Sequence, residues 1–161
     1  MKPDLFLLPV FLILGVLQAL TGRASADDNI IQVDIFSMPK ITAMRLMDDE
    51  RIVTDPAAVL QAIDRLKSSR QASLVATQLL KGRLPLRTTN EGKIHVEVDA
   101  GRLEDEICYL NIALNTKPGS HSAVLVTATR IKLGAPKFLG TLEPPELKEK
   151  DQTWLVFLRL R

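Results

Sequence analysis

The chain has 161 residues, 46% of them hydrophobic, with 21 basic and 19 acidic side chains and a single cysteine. The near balance of charge argues against a nucleic-acid partner, which usually shows as a clustered basic surface, and one cysteine excludes an intramolecular disulfide. A chain of this length is enough for one ordinary domain, whose stability must come from packing.

Lys2 supplies a positive start, residues 5–20 are almost wholly apolar, and Ala24-Ser25-Ala26 offers the small-x-small pattern that signal peptidase reads. These features predict a cleavable secretory signal peptide over residues 1–26, with Ala24 and Ala26 as recognition residues and Asp27 as the new amino terminus. The apolar run falls short of the roughly 20 residues of a spanning helix, which favours removal over anchoring. No cysteine adjoins the cleavage site, so the lipid attachment of a bacterial lipoprotein is not available. Cleavage removes Lys2, Asp4 and Arg23 and takes the formal charge from +2 to +1. Residues 27–161 then read as a single α+β domain, exported to the periplasm or beyond and without stable membrane insertion.

In Ile31-Gln32-Val33-Asp34-Ile35-Phe36 the residues alternate with period two, the pattern of a strand with one face on a core. Pro39 ends that strand and opens a short helix over about 40–47, where Ile41, Met44 and Met47 share one side. Asp55 followed by Pro56 marks the start of a longer helix over about 56–69, because a short carboxylate accepts from free backbone N–H groups and proline fits the first helical position. Within it Val59, Ala62, Ile63 and Leu66 form one buried face.

From Ser73 onward the chain reads as strands separated by Gly, Pro, Asn and charged clusters. The runs are Ser73 to Leu80, Leu84 to Thr89, Lys93 to Asp99, Glu106 to Asn115, Ala123 to Leu133, Lys137 to Leu142 and Thr153 to Leu160. Thr89-Asn90-Glu91-Gly92 and Lys117-Pro118-Gly119-Ser120 are predicted hairpin turns. Ile94, Val96 and Val98 face away from His95, Glu97 and Asp99, as in a sheet with one wet face. Trp154-Leu155-Val156-Phe157-Leu158 has no such alternation, which predicts a strand covered on both sides, with helix 56–69 over one of them. The segment from Glu143 to Lys150 is a charged, proline-interrupted loop. The expected fold class is α+β: a mainly antiparallel β-sheet, one longer helix and one short helix.

Little in the chain has the residue types and spacing of a chemical site. His95 and His121 are the only histidines, so a metal site would need carboxylates as its other ligands. His95, Glu97 and Asp99 form the best polar cluster, although alternating charges on a solvated strand need no ligand to explain them. His121 and Ser122, as strand neighbours, point to opposite faces and do not pair as base and nucleophile. Glu104-Asp105-Glu106 reads as solvated acids after a glycine turn, and Cys108, between Ile107 and Tyr109, as a small core residue. There is no Gly-x-Ser-x-Gly elbow, phosphate loop or His-Glu-x-x-His. No catalytic, cofactor-binding or metal-ligating residue is assigned, and no cofactor is expected.

Three segments, in order, carry a family resemblance. They are Ile31-Gln32-Val33-Asp34-Ile35-Phe36-Ser37-Met38-Pro39, the stretch from Leu84 through Thr88-Thr89-Asn90 to Lys93, and Lys137-Phe138-Leu139-Gly140-Thr141-Leu142 followed after a charged gap by Trp154-Leu155-Val156-Phe157-Leu158. Together they resemble an abbreviated form of the β-rich core domain of bacterial secretins of type II and III secretion systems. Membrane strands show outward apolar residues bounded by aromatic girdles, and Phe36, Tyr109, Phe138, Trp154 and Phe157 form no such belts. The small periplasmic domains that precede a secretin core, and its membrane-entering strand pair, are not visible either. The resemblance therefore implies an exported protein with a secretin-like sheet and no channel.

The expected function is that of a non-enzymatic cell-envelope protein whose strand edges or loops contact another protein or further copies of itself. The alternative is a small periplasmic hydrolase or ligand-binding protein working through His95, Glu97 and Asp99.

Overall fold

Eight strands and three helices follow one another in the computed structural model, which describes residues 28–91, 94–116, 122–144 and 150–161. The signal segment with Ala24 and Ala26, the turn residues Gly92 and 117–120, His121, and most of the 143–150 loop lie outside the described residues. The elements are β1 (Asn29–Pro39), α1 (Lys40–Met47), α2 (Arg51–Thr54), α3 (Pro56–Ser68), β2 (Ser73–Gly82), β3 (Leu86–Asn90), β4 (Ile94–Glu104), β5 (Ile107–Thr116), β6 (Val124–Lys132), β7 (Pro136–Leu142) and β8 (Gln152–Leu160). The fold is mixed α+β, as the sequence patterns predict.

The strands divide into two antiparallel four-stranded sheets, β2-β1-β8-β7 and β3-β4-β5-β6. Their facing sides enclose one core. Ile31, Val33, Ile35, Val156, Leu158 and Leu160 of the first sheet meet Ile94, Val96, Val98, Leu110, Ile112 and Leu114 of the second. Each large apolar side chain buried this way contributes about 1.5–3 kcal/mol relative to exposure. The chain changes sheet between β2 and β3 and again between β6 and β7. Gly134, at φ +79°, supplies the left-handed residue in the second crossing, a conformation that side chains with a Cβ resist.

The helices form a third layer on the outer side of the first sheet. Val59, Ala62, Ile63 and Leu66 of α3, with Ala43 and Ile52, pack on Phe36, Met38, Leu155 and Phe157. The Phe157 ring lies edge-on to Phe36 at 5.9 Å and tilted against Phe138 at 5.4 Å. β8 is thus covered on both faces, and by the helix layer that its unbroken apolar run implies. The start of α3 is fixed as its sequence indicates: Ala57 N–H donates to Asp55 Oδ1 at 2.8 Å, and Pro56 follows the cap.

Three local readings are corrected. β1 is buried on both faces, because the helix layer covers Phe36 and Met38 while the second sheet covers Ile31, Val33 and Ile35. The apolar side of α1 faces solvent: Ile41 is 54% and Met44 57% exposed, and the small Ala43 makes the contact with the sheet. A single helical turn, α2, which the sequence patterns do not predict, follows the acidic residues 48–50, and Ile52 anchors it in the core.

Candidate functional site

The second sheet has an outer face that the helix layer does not cover, and the polar cluster lies on it. The registers place side chains there in cross-strand rows: Thr89, Glu97, Ala113 and Val126 in one, Arg87, Asp99, Asn111 and Ala128 in the next. Tyr109 and Arg130 form a third, shorter row, and His95, Asn115 and Val124 a fourth. Period-two alternation puts these residues outward as a consequence of burying Ile94, Val96 and Val98.

His95 Nε2 lies 3.0 Å from Glu97 Oε1, while Asp99 sits beyond the pair in the row of Arg87. Glu97 and Asp99 are exposed. The three residues do share a face, as their spacing predicts, but that face is open to water and no volume closes over them. Among the described residues no group of three histidine, cysteine or acidic side chains is placed to hold a metal ion.

Small residues shape this face more than charged ones. Gly101, Asn111 and Ala128 floor a shallow depression of about 510 Å³ rimmed by Tyr109, Arg130 and Asp99. A second of about 200 Å³ continues past Asn111 and Ala113 toward Arg87, Glu97 and Val126. Tyr109 is 62% and Val126 70% exposed, so the trough has aromatic and aliphatic walls in contact with solvent.

β6 forms the free edge of the sheet beside this trough. Thr116 N–H donates to Ala123 O at 3.1 Å, which directs the odd-numbered residues of β6 toward β5. The even-numbered backbone groups therefore point off the sheet. Lys137 Nζ agrees with that parity by donating to Arg130 O from outside, at 3.0 Å. Val124, Val126 and Ala128 are left presenting outward N–H and C=O groups without a backbone partner among the described residues.

The chain matches no protein-family model, no curated protein and no solved structure.

Other candidates fall away from this face or out of solvent. Cys108 is fully buried in the sandwich, its Sγ 3.5 Å from Gly101 O, and burial pushes its thiol up, opposing use as a nucleophile. Asp105 and Glu106 adopt positive φ of 49° and 64° as the two central residues of the β4–β5 hairpin, and Glu106 pairs with Lys132 at 3.3 Å. Among the described residues no helix is long and apolar enough to cross a membrane. The residues that sequence reasoning missed are Val124, Val126, Ala128 and Tyr109. Alternation along β6 could have identified the first three, but only with knowledge that β6 is an edge, and alternation along β5 could have identified Tyr109.

Proposed function

We propose that this is an exported, non-enzymatic cell-envelope protein that binds another protein chain by strand addition along β6. The open row Val124, Val126, Ala128 carries the proposal: an unpaired edge is a template for a further strand, and pockets beside it select its side chains. The shallow trough floored by Asn111 and Ala128 and walled by Tyr109 supplies such pockets next to the edge. Export to the periplasm or beyond is supported by the residues of 1–26. A secretin-like, channel-free ancestry is supported by the order of the three segments along the chain.

Val126→Pro is the selective test. Proline removes only the outward N–H at that position and is tolerated at sheet edges. Light scattering after size exclusion, together with pull-down from envelope extract, should show association by the wild-type protein and its loss in Val126→Pro at unchanged circular dichroism. A wild-type protein that stays strictly monomeric and retains no partner would remove the proposal. Mass spectrometry of the exported form should find Asp27 at its amino terminus.

A further inference from the structure

A second recess lies on the side of the molecule, where the helix layer approaches the β6–β7 crossing. It has a volume of about 520 Å³, within the range of small-molecule sites, and combines apolar walls with basic side chains. Val53, Val59, Ile107 and Pro136 contribute hydrocarbon, and Arg130, Lys132 and Lys137 contribute positive charge. Val53 is 63% exposed, so part of this apolar lining now faces water.

The charges around the recess are unequally matched. Lys132 is paired with Glu106 at 3.3 Å, and Asp55 is turned to cap Ala57 N–H at 2.8 Å. Arg130 and Lys137 have no carboxylate partner among the described residues. Lys137 instead donates to the main-chain carbonyl of Arg130 at 3.0 Å, near enough to feel the Arg130 charge. Burial, followed by the nearby Arg130 charge, pulls the Lys137 amine below its ordinary value of 10.5. Two adjacent cations at an apolar recess are stabilised by an anion that lies between them. Asp55 and Glu106 nearby disfavour an anion of higher charge, and the walls favour a hydrocarbon body.

We propose that this recess binds a small organic carboxylate with a nonpolar body, its carboxylate between Arg130 and Lys137 and its hydrocarbon against Val53, Val59, Ile107 and Pro136. The carboxylate belongs either to a free acid or to the end of a peptide. This site shares Arg130 with the rim of the outer trough, but its test reads carboxylate binding and not strand addition, so either proposal can fail alone.

The test is a titration of isotope-labelled protein, produced from the full chain, followed by amide chemical shifts. Octanoate represents the free acid, N-acetyl-leucine the peptide terminus, and octanamide and inorganic phosphate are the controls. Saturable shifts confined to residues 53–59, 107 and 130–137 are expected with at least one carboxylate, and the tighter of the two identifies the source. Lys137→Met, which keeps an aliphatic stem, and Arg130→Gln should each weaken that binding at least tenfold while leaving the denaturation midpoint unchanged or higher. Octanamide binding as tightly as octanoate, phosphate alone shifting these residues, no response to either carboxylate, or undiminished binding by Lys137→Met would each overturn the proposal.

Discussion

The side-chain amide of Gln78 donates to the main-chain carbonyl of Ile94 at 2.8 Å, tying β2 of the first sheet to β4 of the second. Gln78 is 8% exposed, and its Oε1 is buried without a partner. Removing the donor takes away this buried bond between the sheets, which costs about 1–3 kcal/mol. Gln78→Ala should lower the urea midpoint accordingly. Gln78→Glu should lower it further at neutral pH, since a buried carboxylate there loses the donor and adds a charge.

Phe157, flanked on its own sheet by Phe36 and Phe138, belongs to the cluster that packs α3 on the first sheet. Phe157→Ala is expected to cost about 3–5 kcal/mol, the range for large aromatic truncations in a core. Hydrogen exchange should show faster exchange in α3 than in β4 and β5, because the lost contacts lie on the helix side of the sheet. Equal acceleration in both regions would contradict the three-layer arrangement.

Asp55 holds the first turn of α3 through Ala57 N–H. Asp55→Ala should destabilise by about 0.5–2 kcal/mol, whereas Asp55→Asn or Asp55→Ser should recover most of the loss. Chemical denaturation of the three variants separates capping from charge.

Burial raises the Cys108 thiol above its ordinary 9.0, with a backbone hydrogen bond at Gly101 opposing in part. The folded state therefore keeps a proton that the unfolded chain gives up. The associated stability is fully present below the unfolded thiol's titration and is lost as pH rises through the folded value. Between pH 7 and 10 the denaturation midpoint of the wild-type protein should fall more steeply than that of Cys108→Ala. Labelling of Cys108 by a thiol reagent at neutral pH should require unfolding.

Much of the fold was legible where a single period decides burial. Val59, Ala62, Ile63 and Leu66 repeat at helical spacing behind a cap and a proline, and all four are buried. Ile94, Val96 and Val98 alternate with polar neighbours and face the sandwich. α1 was legible as a helix but not in its orientation. Its larger residues share a side, yet the small Ala43 is the one seated on the sheet, and Ile41 and Met44 turn outward.

The division into two sheets is harder to read, because it depends on where the chain crosses between layers and not on the composition of any strand. The β4–β5 turn was hidden for a different reason. Asp105 and Glu106 take left-handed conformations that normally signal themselves through Gly or Asn. For the polar cluster, spacing correctly put His95, Glu97 and Asp99 on one face but could not tell whether that face would be roofed. The side recess brings together residues from α2, α3, β5, β6 and β7, a convergence that no local pattern contains.

β8 is hydrogen-bonded to β1 on one side and β7 on the other, and Ile30 and Arg161 exchange both main-chain bonds at 2.8 Å. β8 is therefore an interior strand of its sheet, and it carries side chains into both cores. A polypeptide still missing it has no means of locking shut. By the same logic, a premature stop codon before residue 152 yields debris for proteases and not a smaller version of the domain.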